Sequence, residues 1–204
     1  MLFHKAISYI FHPIVFSIIA ALLYFIILPS HITKQSEHGI LIIVFLSTYI
    51  IPLLLVAFLK RFKMIESFHL ESIGERKFPV LFMIVLFILV GKILLTAQAV
   101  NLLAYSFFAC ALALLFVYAL FFMNIKTSLH ALSVAGLIGF LCVISYNYKL
   151  NLLIPIIGLF LLFGIVATAR LKLKAHKTSE IYIGFIVGFL SQPFCYYILT
   201  SYNI

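Results

Sequence analysis

Arg170, His176 and Glu180 stand together between two long apolar runs in a chain that is 66% hydrophobic and only 9% charged. A histidine and a carboxylate four residues apart share one face if the segment is helical. The carboxylate can then accept the Nδ1 proton, fix the tautomer and leave Nε2 as a nucleophile or base. Arg170 precedes the pair by a loop's length and offers a planar set of donors suited to bidentate phosphate binding. A second cluster, Thr127-Ser128-Leu129-His130, and a third, Glu75-Arg76-Lys77-Phe78-Pro79, occupy two other boundaries between apolar runs. Ser128 and His130 stand where a run begins, and a helix N-terminus there favours an anion through its free N–H groups and partial positive charge. Together the three clusters have the chemistry of a phosphate site.

The elements that must position these residues are membrane spans. A mean hydropathy of +1.27 without a long polar segment indicates an all-α, polytopic membrane protein with no separate soluble domain. About 20 apolar residues cross about 30 Å of hydrocarbon. On that measure seven spans are expected, at 13–29, 39–59, 78–96, 101–123, 129–146, 152–168 and 181–200. The first lacks a small-residue cleavage site after it and is expected to be retained. Pro52 and the run Ser191-Gln192-Pro193 mark kinks in the second and seventh, with side chains bonded between helices at the latter. Cys110, Cys142 and Cys195 fall inside spans without paired spacing and read as small apolar residues.

The net charge of +9 is confined to short loops, which points to lipid headgroups or phosphate substrates and away from nucleic acid. On the N-terminal side of the membrane lie Lys5, Lys60, Arg61, Lys63, Arg76, Lys77, Lys126, Arg170, Lys172, Lys174 and Lys177. The other side holds Lys34 and Lys149, with Lys92 near the far end of the third span, where its stem can snorkel to the interface. This bias predicts an inner-membrane protein with a cytoplasmic N-terminus and an outside C-terminus. Successive polar clusters are separated by two spans, so all three emerge on one face.

These residues resemble the type 2 phosphatidic acid phosphatase superfamily, which shares its site with vanadium haloperoxidases. That family reads K-x6-R-P, then P-S-G-H, then S-R-x5-H-x3-D. Here Thr127-Ser128-Leu129-His130 stands for the second motif and Ala169-Arg170-x5-His176-x3-Glu180 for the third, in the family's order and at span ends. The first motif is represented by the Arg76-Lys77-x-Pro79 cluster alone. Thr127 replaces the family's Pro, Leu129 its Gly, Ala169 its Ser and Glu180 its Asp. The resemblance covers about 76–204 and leaves 1–75 as peripheral spans of a single 1–204 membrane domain. It implies that His176 attacks phosphorus to form a phosphohistidine, that Glu180 orients it, and that His130 protonates the leaving oxygen. Arg170, Ser128 and Arg76 or Lys77 would bind the equatorial oxygens.

The activity so implied is metal-independent and cofactor-free hydrolysis of a phosphate monoester or pyrophosphate on a lipid or polyprenyl carrier, at the cytoplasmic interface. The first alternative is a non-catalytic relative that binds lipid phosphate or serves as a subunit of a membrane assembly. A lipid transporter is the second, although the chain lacks the inverted repeats and broken helices such proteins usually carry. His4, His12, His31, His38 and His69 show no ligand spacing, and His12 before Pro13 fits a helix start. The Lys60-Arg61-x-Lys63 run reads as a topology anchor.

Overall fold

The computed structural model describes residues 1–28, 32–66, 72–97 and 100–202, and His31 and His69 lie outside them. Every regular element among the described residues is helical. In chain order these are α1 (Leu2–Ile10), a 3₁₀ turn (Pro13–Val15), α2 (Phe16–Ile27), α3 (Lys34–Phe45), a π turn (Leu46–Ile50) and α4 (Ile51–Arg61). There follow α5 (Ile73–Thr96), α6 (Asn101–Phe122), α7 (Leu129–Tyr148), α8 (Leu153–Lys172) and α9 (Thr178–Ser201). Seven helical segments are long and apolar enough to cross a membrane: Leu2–Ile27, Lys34–Arg61 and each of α5 to α9. Large apolar side chains such as Ile26, Ile154 and Leu161 are exposed, as an integral membrane protein requires of its lipid-facing surface.

The spans fall where hydropathy put them except at the front. Helix begins at Leu2, well before the expected start at Pro13, because α1 adds an amphipathic stretch whose His4, Lys5 and Ser8 interrupt the apolar run. The segment then breaks at Phe11 and His12. His12 is extended and caps the 3₁₀ turn by accepting from Ile14 N at 3.4 Å, with Pro13 in the first position.

The chain forms two compact units. One comprises Ser17–Asn124. Within it α5 and α6 pack as a pair, Gly91 lying against the Phe108 ring and Phe87 near Phe107 at 5.9 Å between centroids. The expected irregularity at Pro52 takes the form of the π turn just before it. Proline supplies no N–H to the preceding turn, and a π turn reroutes the backbone bonds around that gap. Ser72 caps α5 in a capping box with Glu75, whose carboxylate accepts from Ser72 N at 3.2 Å and from Glu66 N at 2.7 Å.

The other unit comprises Met1–Phe16 and Ile125–Ile204. Its centre is α7, whose Val134, Ala135, Ile138, Leu141 and Ile144 are fully buried. Both α8 and α9 pack on α7, while α1 packs on α8. The crossing of α7 and α9 is set by small residues. A Cβ added at Gly184 would lie 2.6 Å from Ser128 O. One added at Gly188 would collide with Leu132 O, and one at Gly139 would meet Phe189 O at 2.5 Å. Gly184-x3-Gly188 is the spacing that lets two membrane helices approach backbone to backbone.

Pro193 fits this contact. The helix α9 is continuous through it, and Ser191 bonds within its own helix, to Gly188 O at 2.9 Å, not across to another. Phe189 O, four residues before Pro193, loses its helical donor and is the carbonyl that faces Gly139.

Replacing Gly188 with Leu is expected to destabilise the protein by at least about 1–3 kcal/mol, the usual cost of overpacking. Gly158→Ala is expected to leave stability unharmed or to raise it by up to about 1 kcal/mol, since alanine is the better helix former and a Cβ there meets nothing within 4 Å. Thermal unfolding in detergent, followed by loss of the monodisperse species, separates the two.

Candidate functional site

Two of the three polar clusters meet in the unit built on α7. The Ser128 hydroxyl caps α7, accepting from Ala131 N at 3.4 Å. Its own N–H donates to Glu180 O at 3.1 Å, which pins the start of α7 to the first turn of α9. Lys126 Nζ adds a bond to Ala175 O at 3.3 Å. Thr127 and Ser128 are fully enclosed, and His130 and His176 are buried.

His176 Nδ1 lies 2.6 Å from Glu180 Oε2, the pairing expected from sequence. Its geometry differs from the expected one. Helix α9 begins at Thr178, so His176 precedes the helix and the two side chains do not stack along it. Lys174, at φ 52°, turns the chain out of α8 in the left-handed region. Glu180 then sits in the third position of α9 and reaches back, its Oε2 also lying 3.4 Å from Lys177 N. The carboxylate therefore orients the imidazole and satisfies the helix start together. With Nδ1–H donated to the carboxylate, the neutral ring carries its lone pair on Nε2.

Arg170 and His130 converge from α8 and α7 on a residue that the motifs did not include. Arg170, in the last turn of α8, donates from Nη1 to Ser8 Oγ at 2.6 Å. His130, second residue of α7, has Nε2 3.1 Å from Ser8 O and 3.3 Å from Ser8 Oγ. A carbonyl can only accept, so the first of these contacts is a hydrogen bond with the proton on Nε2. The His12 ring stands edge-on to His130 at 5.6 Å between centroids. Arg170, His12 and His176 all lie within electrostatic reach of His130. Arg170 Nε is buried without a hydrogen-bond partner among the described residues.

The N-terminal stretch thus contributes Ser8 and His12 to this cluster. Neither carries a motif. The signal available for Ser8 was a hydroxyl at the buried position of a short amphipathic helix, and for His12 its place beside a break. Arg76 and Lys77 belong to the other unit. There Arg76 is buried in the first turns of α5, and Lys77 Nζ lies over the Phe122 ring, 5.2 Å from its centroid. Among the described residues no group of three or more His, Cys, Asp or Glu is placed to hold a metal ion.

What the arrangement can do follows from its donors. Arg170 and His130 present N–H groups to the oxygens of Ser8, donors of the kind that suit an anion, and His176 offers an oriented ring nitrogen. Glu180→Ala is expected to loosen the start of α9 by about 1 kcal/mol and to release His176 from the Nδ1–H tautomer. Nitrogen-15 shifts of histidine-labelled protein read the tautomer directly, and an unchanged His176 signal in the variant would contradict the assigned pairing.

No family model, curated protein or solved structure matches the chain.

Proposed function

We propose that this protein is a membrane lipid phosphatase that works through a phosphohistidine, metal-independently, on a phosphate monoester or pyrophosphate carried by a lipid or polyprenyl chain. The observation that carries this reading is the His176–Glu180 pair at 2.6 Å, in the cluster that also holds Arg170 and His130. Orientation by a carboxylate is what a nucleophilic imidazole needs. Arg170, which meets His130 at Ser8, would supply the charge that phosphoryl transfer depends on.

In the first step Nε2 of His176 attacks phosphorus, and the bond from phosphorus to the lipid oxygen breaks. The leaving oxygen takes the Nε2 proton of His130 in its imidazolium form, which is left as the neutral ring. Water then attacks the phosphohistidine, giving its proton to His130 and releasing inorganic phosphate with His176 restored. Arg170 holds the non-bridging oxygens through both steps. A lipid substrate suits a site formed at the ends of membrane helices, because lateral entry keeps the acyl chains in hydrocarbon while the headgroup reaches the polar cluster.

The test is phosphate release from phosphatidic acid, phosphatidylglycerol phosphate and polyprenyl pyrophosphate by the detergent-purified protein in EDTA. Release is expected from at least one of them, lost in His176→Ala and reduced about 10²–10³-fold in Arg170→Ala, as when one oxyanion donor is removed. Binding without release in folded protein would instead favour a lipid-phosphate binding module or subunit.

The basic residues at the same helix ends, Lys126, Lys172, Lys174 and Lys177, support a cytoplasmic site and N-terminus in an inner membrane. Lys172→Cys is expected to react with an impermeant maleimide only after the cells are opened. Labelling in intact cells would reverse the orientation.

A further inference from the structure

Ser8 occupies Arg170 and His130, two of the groups that the phosphatase reading assigns to the substrate, and this inference rests on that reading. Its hydroxyl receives Arg170 Nη1 at 2.6 Å and lies 3.3 Å from His130 Nε2, while its carbonyl lies 3.1 Å from the same nitrogen. The carbonyl is in the last turn of α1, where helical donors run out, and His130 completes it. An oxygen held by an arginine N–H beside a histidine N–H stands in the place of one phosphate oxygen. It matches only part of the guanidinium, since Arg170 Nε is buried with no partner among the described residues. A tetrahedral anion brings a second oxygen, which the guanidinium can take at Nη2 beside Nη1 or by the fork of Nε with Nη2.

We propose that α1 is a plug: Ser8 holds the site closed, and a phosphate enters by displacing it as α1 swings about Phe11 and His12. Three further features fit that motion. The helix is nine residues long, too short to persist without packing, and its packing partner is α8. It is separated from the next helical turn by the extended His12 and the fixed Pro13. Its outward residues, Leu2, Phe3, Tyr9 and Ile10, are apolar and exposed, as in a helix lying in a membrane interface. Undocking therefore moves α1 within lipid and leaves a lateral opening for a lipid headgroup.

The experiment titrates inorganic phosphate into the full-length protein in detergent by calorimetry. Ser8→Ala removes the hydroxyl that competes at Arg170, leaves the backbone carbonyl on His130, and is expected to bind phosphate about tenfold more tightly than wild type, the worth of one hydrogen bond to a charged group. Ser8→Asp places a carboxylate on Arg170 and is expected to bind none. The chain contains no tryptophan, so Phe3→Trp gives a single reporter on α1. Its emission is expected to shift when phosphate saturates the protein. Equal or weaker binding by Ser8→Ala, or emission unchanged at saturation, overturns the plug and leaves the phosphate site standing. No binding by wild type or Ser8→Ala overturns the phosphate reading itself, and the plug with it.

Discussion

The backbone-to-backbone approach of α7 and α9 is the constraint on which the polar cluster depends. Gly184 and Gly188 bring α9 against Ser128 O and Leu132 O, and Gly139 admits Phe189 O from the other side. A contact of this kind fixes height along the helices as well as separation, because ridges of side chains cannot slide past carbonyls at that distance. The Ser128 N–H to Glu180 O bond is one turn above Gly184 and depends on the same register. Through it the N-cap of α7 and the third residue of α9 are held together, and His130 and His176 come from those two helix starts. None of the nine glycines adopts positive φ. The left-handed positions after α4, α6, α7 and α8 fall instead to Lys63, Asn124, Lys149 and Lys174. Glycine is used here for packing, and the turns are made by polar residues that can face water or headgroups.

That allocation explains which parts of the structure hydropathy could reveal. Spans, their number and the polar clusters at their ends are written in composition, since lipid excludes charge wherever the chain crosses it. The helix start at Ser128 was marked by residue type, whereas the capping box of Ser72 and Glu75 was passed over by a hydropathy reading that began the span at 78. The helix crossing was legible in principle from Gly184-x3-Gly188, but the spacing says nothing about which helix it meets. Ser8 was illegible for a different reason. It is bonded to residues 122 and 162 positions away, and no local pattern distinguishes it from a serine facing solvent. Hydropathy also started the first span at Pro13 and left α1 out, hiding the helix that brings Ser8 to Arg170.

The His176–Glu180 pair shows how a correct pairing can arise from a different geometry. A spacing of four suggested an imidazole and a carboxylate stacked on a helix, and the structure instead places the imidazole ahead of the helix. In that arrangement the carboxylate must bend back past two residues and toward the exposed N–H groups at the helix start. Glutamate in the third position is the residue that makes this reach in a capping box, whereas aspartate is one methylene shorter. The residue at 180 is therefore matched to the extended Lys177 that separates His176 from the helix. A carboxylate at that end of α9 is also favoured by the helix dipole. The same group thus starts the helix, selects the tautomer and directs Nε2, so chemistry and folding at this corner of the protein cannot be separated by substitution at Glu180 alone.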